Sequence, residues 1–153
     1  LCIPAIILAF VALIALVNGL IGWIGGWFGF SNLSLQTILG YIFAPIAAII
    51  GVPWGESVLA GSLIGQKIIL NEFVAFTSMS PLLPELSAKT TAIVTFALCG
   101  FANISSIAIL IGGIGGMAPN RKHDIARLGW KAVLGGTLAN LLSATIAGLL
   151  LTI

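Results

Sequence analysis

The chain has 153 residues, 59% hydrophobic and only 7% charged, with a formal net charge of +2 and a mean hydropathy of +1.21. Soluble domains carry roughly 25% charged residues, so the composition excludes an ordinary soluble fold, and so small a net charge gives no footprint for nucleic acid. Cys2 and Cys99 lie far apart in apolar runs with no CxxC or clustered His, which reads as two free, buried thiols rather than a disulfide or a metal site.

The chain opens on Leu1 inside a hydrophobic run, without the basic segment or the A-x-A-like cleavage site of a signal peptide. The expectation is the carboxy-terminal part of a longer protein. Residues 3–30 carry no charge and exceed the about 20 apolar residues that span a bilayer. Pro4 suits the helix start. Gly22 and Gly26 form a GxxxG pair that permits close helix contact, and Trp23 and Trp27 suit a membrane–water interface. Asn18 is a lone polar residue, read as a packing or register device. Residues 30–34 break the run, with Ser31 or Ser34 as the cap of the next helix. Residues 35–50 are helical but short for a span, and resemble a helix lying along the interface. A turn follows at 51–55.

Residues 57–70 would make a helix about 21 Å long, too short for a hydrocarbon core of about 30 Å. Gln66, Lys67, Asn71 and Glu72 come next, then a second short apolar arm over 73–79, closed by Pro81 and Pro84. Two short arms around a polar tip read as a re-entrant hairpin, which is tolerated only inside protein or beside water. Residues 88–117 are generous for one helix and carry Gly100 and Asn103 near the middle. They read as a spanning helix broken there, with half-helices over 88–100 and 105–117. The stretch 118–131 holds Arg121, Lys122, Arg127 and Lys131 against Asp124 alone, and reads as a cytoplasmic loop. The last span covers 132–153, with Gly136, Asn140, Ala144 and Gly148 giving one face of mostly small side chains. Parity from the basic loop puts the hairpin's two ends and the carboxy terminus outside.

The polar residues placed within the membrane are therefore Gln66, Lys67, Asn71, Glu72, Asn103, Ser105 and Ser106. They come from one hairpin and one broken helix, which is how secondary transporters build a site. An ionised Glu accepts hydrogen bonds, whereas Asn and Ser both donate and accept. The set suits a neutral, hydroxyl-rich solute, with Phe101 as an apolar surface for a ring. Structural roles compete. Glu72 can be the ion-pair partner of Lys67, and Asn103 and Ser106 can satisfy backbone at the helix break. Ser105 and Ser106 are equivalent at this level, and His123 reads as solvated. An enzyme is disfavoured: no His stands near the serines to activate them, and HExxH, GxSxG and paired carboxylates are absent. The rivals left are a transporter of another neutral hydroxylated solute, an ion channel, and an assembly subunit.

Three stretches carry a resemblance: GxPWGES at 51–57, GxxxGQKxxxNEFVAF at 61–76 and CGFANISSIAILIGGIGGMAPNRKHDIARLG at 99–129. Together they closely resemble the carboxy-terminal region of the concentrative nucleoside transporters, with the bacterial branch closest. The resemblance implies an all-α membrane protein, one half of an inverted-repeat secondary transporter. Residues 1–32 would be a scaffold helix and 33–52 an external amphipathic surface helix. Residues 53–87 would form the re-entrant hairpin. Residues 88–153 would hold the broken helix, the cytoplasmic loop and the last span of the transport domain. It implies an inner (plasma) membrane homotrimer in the lipid bilayer, importing nucleosides by an elevator-like alternating access driven by Na⁺ or H⁺, with no cofactor. Carried over by motif, Glu72 in NEF, Asn103 and Ser106 in GFANxSS, and Phe101 beside them would bind the ribose. The nucleobase contacts and the coupling-ion site would lie outside this chain.

Overall fold

A computed structural model describes the backbone of residues 2–27, 29 and 33–152, with side chains from residue 12 onward. Ser31 as a candidate cap and the Cys2 thiol lie outside the described residues. Among these residues the fold is helical and contains no strand: α1 (Cys2–Trp27), α2 (Leu35–Ile49), α3 (Ser57–Ile69), α4 (Glu72–Met79), α5 (Ala88–Leu98), α6 (Ile104–Met117) and α7 (Lys122–Leu150). Short 3-10 segments lead into α3 (Trp54–Glu56), follow α4 (Ser80–Glu85) and lead into α7 (Pro119–Arg121).

Four of the helix starts that follow a break, those of α2, α4, α5 and α6, carry a side-chain cap. Ser34 accepts from the Thr37 amide at 3.1 Å, and Ser87 from the Thr90 amide at 3.3 Å. Such side chains satisfy amides that the first helical turn leaves without a partner. Asn18 has the register role read from the sequence. Its Oδ1 accepts from the Leu35 amide at 2.8 Å and its Nδ2 donates to Gln36 at 3.0 Å, tying α1 to the start of α2.

The most extensive helix pair is α2 with α3, and glycine makes it possible. A Cβ on Gly61 would lie 2.6 Å from the Ala44 amide nitrogen and 2.8 Å from the Gly40 carbonyl oxygen. The two backbones therefore touch with no side chain between them. Beneath this pair, Leu63 and Ile64 of α3 share one apolar core with Ile93, Val94 and Leu98 of α5 and Ala144 of α7. The small-residue face of α7 runs along both halves of the interrupted helix. A Cβ on Gly148 would meet Ile93 at 2.6 Å, and one on Gly136 would meet Ala102 at 2.8 Å. Asn140, counted in the sequence with the small residues, packs its amide directly on Gly100 at the break.

Two expectations are corrected. The stretch 118–131 is not a loop: after one 3-10 turn, the chain is helical from Lys122. Ala, Arg, Leu and Lys favour helix here, and Asp124 sits in the first turn, where its charge complements the helix dipole. With its lead-in, the helix 119–150 spans 32 residues and is long and apolar enough to cross a membrane. Cys99 is exposed rather than buried, because it caps the end of α5 where the chain turns out of the helix.

The base of the α3–α4 hairpin is clipped to α5. The Ser87 amide and hydroxyl both donate to Glu56 Oε2 at 3.0 Å. Thr90 and Ser87 hydroxyls and the Ser87 amide hold the Glu56 carboxyl below its ordinary range. A lowered folded-state value means that the contribution is complete above the ordinary glutamate pKa of about 4.3 and is lost as pH falls through the lower value. Glu56→Gln should therefore flatten the acid side of a plot of unfolding midpoint against pH; an unaltered profile would count against the clip. Gly61→Ala should cost about 1–3 kcal/mol by forcing α2 and α3 apart. Thermal unfolding monitored by circular dichroism reads this as a lowered midpoint, and an unchanged midpoint would refute backbone contact at that position.

Candidate functional site

The site begins where two helices restart. The chain leaves α3 at Leu70, whose φ of −100° and ψ of −93° turn it out of the helix. Asn71 then caps α4, accepting from the Val74 amide at 2.9 Å, and Glu72 is the first helical residue. The same construction recurs at the break after α5. Asn103 caps α6 and accepts from the Ser106 amide at 2.8 Å. Both caps have extended backbone, φ −165° at Asn71 and −145° at Asn103, as a helix-capping residue requires.

The fold brings the two restarts together. Asn103 Nδ2 donates to Glu72 Oε2 at 3.0 Å across 31 positions of sequence. The orientation of the Asn103 amide is set by chemistry, because its other face meets the Ser106 N–H and must be the carbonyl oxygen. Asn103 is only 3% exposed, while Glu72 is partly buried. A carboxylate beside helix N-termini is favourably placed, since the peptide dipoles there present their positive ends. Among the described residues, Glu72 Oε1 has no hydrogen-bond partner and Asn103 keeps its second amide N–H. The pair therefore offers both an acceptor and a donor to a ligand.

The serines prove inequivalent. Ser105 Oγ lies 2.8 Å from the Leu70 carbonyl of the hairpin and 2.8 Å from Asn103 Oδ1. Ser106 Oγ lies 2.8 Å from the Phe101 carbonyl and 2.7 Å from Asn103 Oδ1, within its own break. Phe101 is 76% exposed and lines, with Ser106, Ile107, Leu110 and Val133, an apolar pocket of about 140 Å³ between α6 and α7. A larger pocket of about 340 Å³, between α2, α3 and α4, includes neither Glu72, Asn103, Ser106 nor Phe101.

Lys67 is not the ion-pair partner of Glu72. It is buried, 1% exposed, in α3, and among the described residues the one ion pair is Arg121–Asp124 at 3.0 Å. Gln66 faces away from the site, linking Ser62 at 3.1 Å and Ser78 at 2.8 Å. Asn71 acts as a cap. Of the seven polar residues picked from the sequence, Glu72, Asn103, Ser105 and Ser106 form one hydrogen-bonded group. The Leu70 carbonyl joins that group and was not foreseen, since no side-chain pattern marks a backbone carbonyl at a chain reversal. Asn71 and Asn103 as caps were legible from the preference of Asn for that position.

Comparison with known proteins gives one answer. The family model described as Na⁺ dependent nucleoside transporter C-terminus matches residues 1–148. An uncharacterised transporter of Bacillus subtilis, YutK, is 61% identical over 147 residues, 96% of this chain and 36% of that one. A nucleoside permease of Helicobacter pylori, NupC, is 53% identical over 152 residues, again 96% of this chain and 36% of that one. The solved structure of CNTnw in an inward-facing, substrate-bound state matches with a TM-score of 0.90 at 59% identity, over 96% of this chain and 37% of that one. The chain thus spans little more than a third of the length of these relatives.

Proposed function

Because the chain belongs to the Na⁺ dependent nucleoside transporter family, whose carboxy-terminal region it matches over residues 1–148, we propose that it supplies the ribose-binding half of a nucleoside importer. Glu72 accepts from the sugar hydroxyls and Asn103 both donates and accepts. Ser106 holds Asn103 in place and meets the ligand beside it, and the exposed Phe101 ring lies against the solute. The observation that carries this reading is the 3.0 Å bond between Asn103 and Glu72. It joins a fixed carboxylate to a fixed amide, each with unused hydrogen-bonding capacity. A vicinal pair of hydroxyls can engage both at once, as a neutral, hydroxyl-rich solute requires.

The helix breaks support the same reading. α3 and α4 are too short to cross a bilayer singly, at about 20 and 12 Å. We read them as a re-entrant hairpin whose tip meets the broken α5–α6 helix near the midplane, the arrangement typical of secondary transporters. In this reading the basic start of α7 faces the cytoplasm and the carboxy terminus lies outside. The chain provides one inverted half of each protomer of a homotrimer in the inner membrane. Nucleobase contacts and the Na⁺ or H⁺ that drives uptake belong to the other half. Alternating access moves the ligand with the hairpin and broken helix across the membrane as one body. The tight α2–α3 and α5–α7 packing suits a unit that moves without deforming.

Glu72→Gln in the full-length transporter should cut nucleoside uptake by about tenfold or more, the scale of losing a hydrogen bond to a charged acceptor. Cell uptake of uridine, normalised to protein in the membrane, reads this; normal uptake at normal insertion refutes the carboxylate's role. Asn103→Ala should shrink the preference for a nucleoside over its 2′,3′-dideoxy analogue, and an unchanged preference counts against ribose recognition. Competition by other neutral polyols but not by nucleosides would reassign the substrate class.

A further inference from the structure

The basic side chains of 118–131 are sorted onto faces because the chain is helical from Lys122. Two of the four Lys and Arg are already engaged. Arg121 pairs at 3.0 Å with Asp124, the one acid of the segment. The Lys122 stem lies on Gly115 of α6, where a Cβ would meet its Cγ at 2.9 Å. Arg127 and Lys131 are exposed and close no ion pair among the described residues. They stand one turn apart on one side of α7, where neighbouring Cβ atoms are about 5–6 Å apart. Leu134 and Leu138 continue the same line, both exposed, and the exposed Trp130 flanks it. We propose that this face is a binding site for an anionic phospholipid: Arg127 and Lys131 hold the headgroup phosphate, and the acyl chains lie along Leu134 and Leu138.

Helix length sets the depth of these groups. The helix with its lead-in, 119–150, has 32 residues, about 48 Å at 1.5 Å per residue. The hydrocarbon core takes about 30 Å, or about 20 residues. Counted back from Leu150, those residues reach Lys131. Lys131 therefore stands at the edge of the core, and Arg127 about 6 Å beyond it, among the headgroups. Trp130 sits at the same boundary, where its ring is favoured. Charge selects the headgroup. A phosphate accepts from both cations, and Arg offers it a fork of N–H groups. A zwitterionic lipid brings its own ammonium to the same place and loses that attraction. The leucines select a lipid over a soluble phosphate, which gains nothing from an apolar strip. α5, α6 and the break occupy a different side of α7, where Ile93, Ile107 and Ala102 meet its glycines. A lipid held by Arg127 and Lys131 fixes the depth of α7, and through those contacts the depth of the break. The proposal rests on α7 crossing the membrane and is independent of the solute carried.

Native mass spectrometry of the full-length transporter in detergent, with phosphatidylglycerol or phosphatidylcholine added, tests this. The wild type should retain phosphatidylglycerol in preference to phosphatidylcholine. Arg127→Gln combined with Lys131→Gln should reduce that preference about thirtyfold, the scale of two basic residues at an anionic surface. Arg121→Gln, whose charge is already paired, should change it far less. Glycerol phosphate, with the phosphate but no chains, should not displace the lipid. Added salt should weaken the wild-type preference, which tests the charges even where the double variant fails to insert. Equal retention of both lipids by the wild type, a preference that survives the double substitution or added salt, or an equal loss in Arg121→Gln overturns the site. Displacement by glycerol phosphate overturns the lipid as its occupant. None of these measurements involves nucleoside uptake, so their failure leaves the proposed transport standing, and a failure of transport leaves the lipid site standing.

Discussion

The hydrogen bond from Asn103 to Glu72 is the constraint to which the other features of the site answer. Each partner stands at the first turn of a helix that has just restarted, and each restart leaves amides without intrahelical partners. Asn71 and Asn103 satisfy one such amide apiece. Asn103 has further capacity and spends it on the carboxylate. A buried or half-buried carboxylate without a basic partner is costly unless dipoles and donors surround it. Here the donor is the Asn103 amide, at the positive ends of the restarted helices, rather than Lys67, which stays buried in α3 without an ion pair to Glu72. A carboxylate that accepts one hydrogen bond and closes no ion pair keeps its remaining lone pairs open to a neutral ligand.

That bond endures only if two chain reversals stay in register, and the packing beneath them ensures this. Backbone contact at Gly61 joins α2 to α3 without an intervening side chain, and the glycines of α7 seat partner side chains directly on its backbone: Ile93 of α5 on Gly148, Ala102 of the break on Gly136 and Ile107 of α6 on Gly129. The Asn140 amide fills the space that Gly100 leaves at the break. Small residues here do not confer mobility. They remove the side chains that would otherwise separate the helices, so the breaks sit in a close-packed frame whose shape is transmitted rather than absorbed. The Glu56–Ser87 clip closes the same frame at the other end of the hairpin.

Much of this was legible along the chain. The polar interruptions at 66–72 and 99–106 stand out against an apolar background, and their spacing marks short arms and a broken helix. The capping preference of Ser placed the start of α2 at Ser31 or Ser34, and Ser34 is the cap. The basic segment was misread as a loop because excess charge after an apolar helix signals a membrane boundary and says nothing about local backbone. Its residues are good helix formers, and the helix runs through it. Cys99 was misread as buried because hydropathy averages over a window and is blind to the single position where a helix ends.

Composition, hydropathy and turn chemistry are local properties, so the sequence alone determined that the chain is helical and apolar, where its helices break, and which residue types stand at the breaks. The tertiary structure decided which break faces which. Glu72 pairs with Asn103 rather than Lys67, and Ser105 reaches the hairpin while Ser106 stays within its own turn. These choices depend on how α3, α5 and α7 pack tens of residues apart, through glycine contacts that have no periodic signal and through a backbone carbonyl that no side chain advertises.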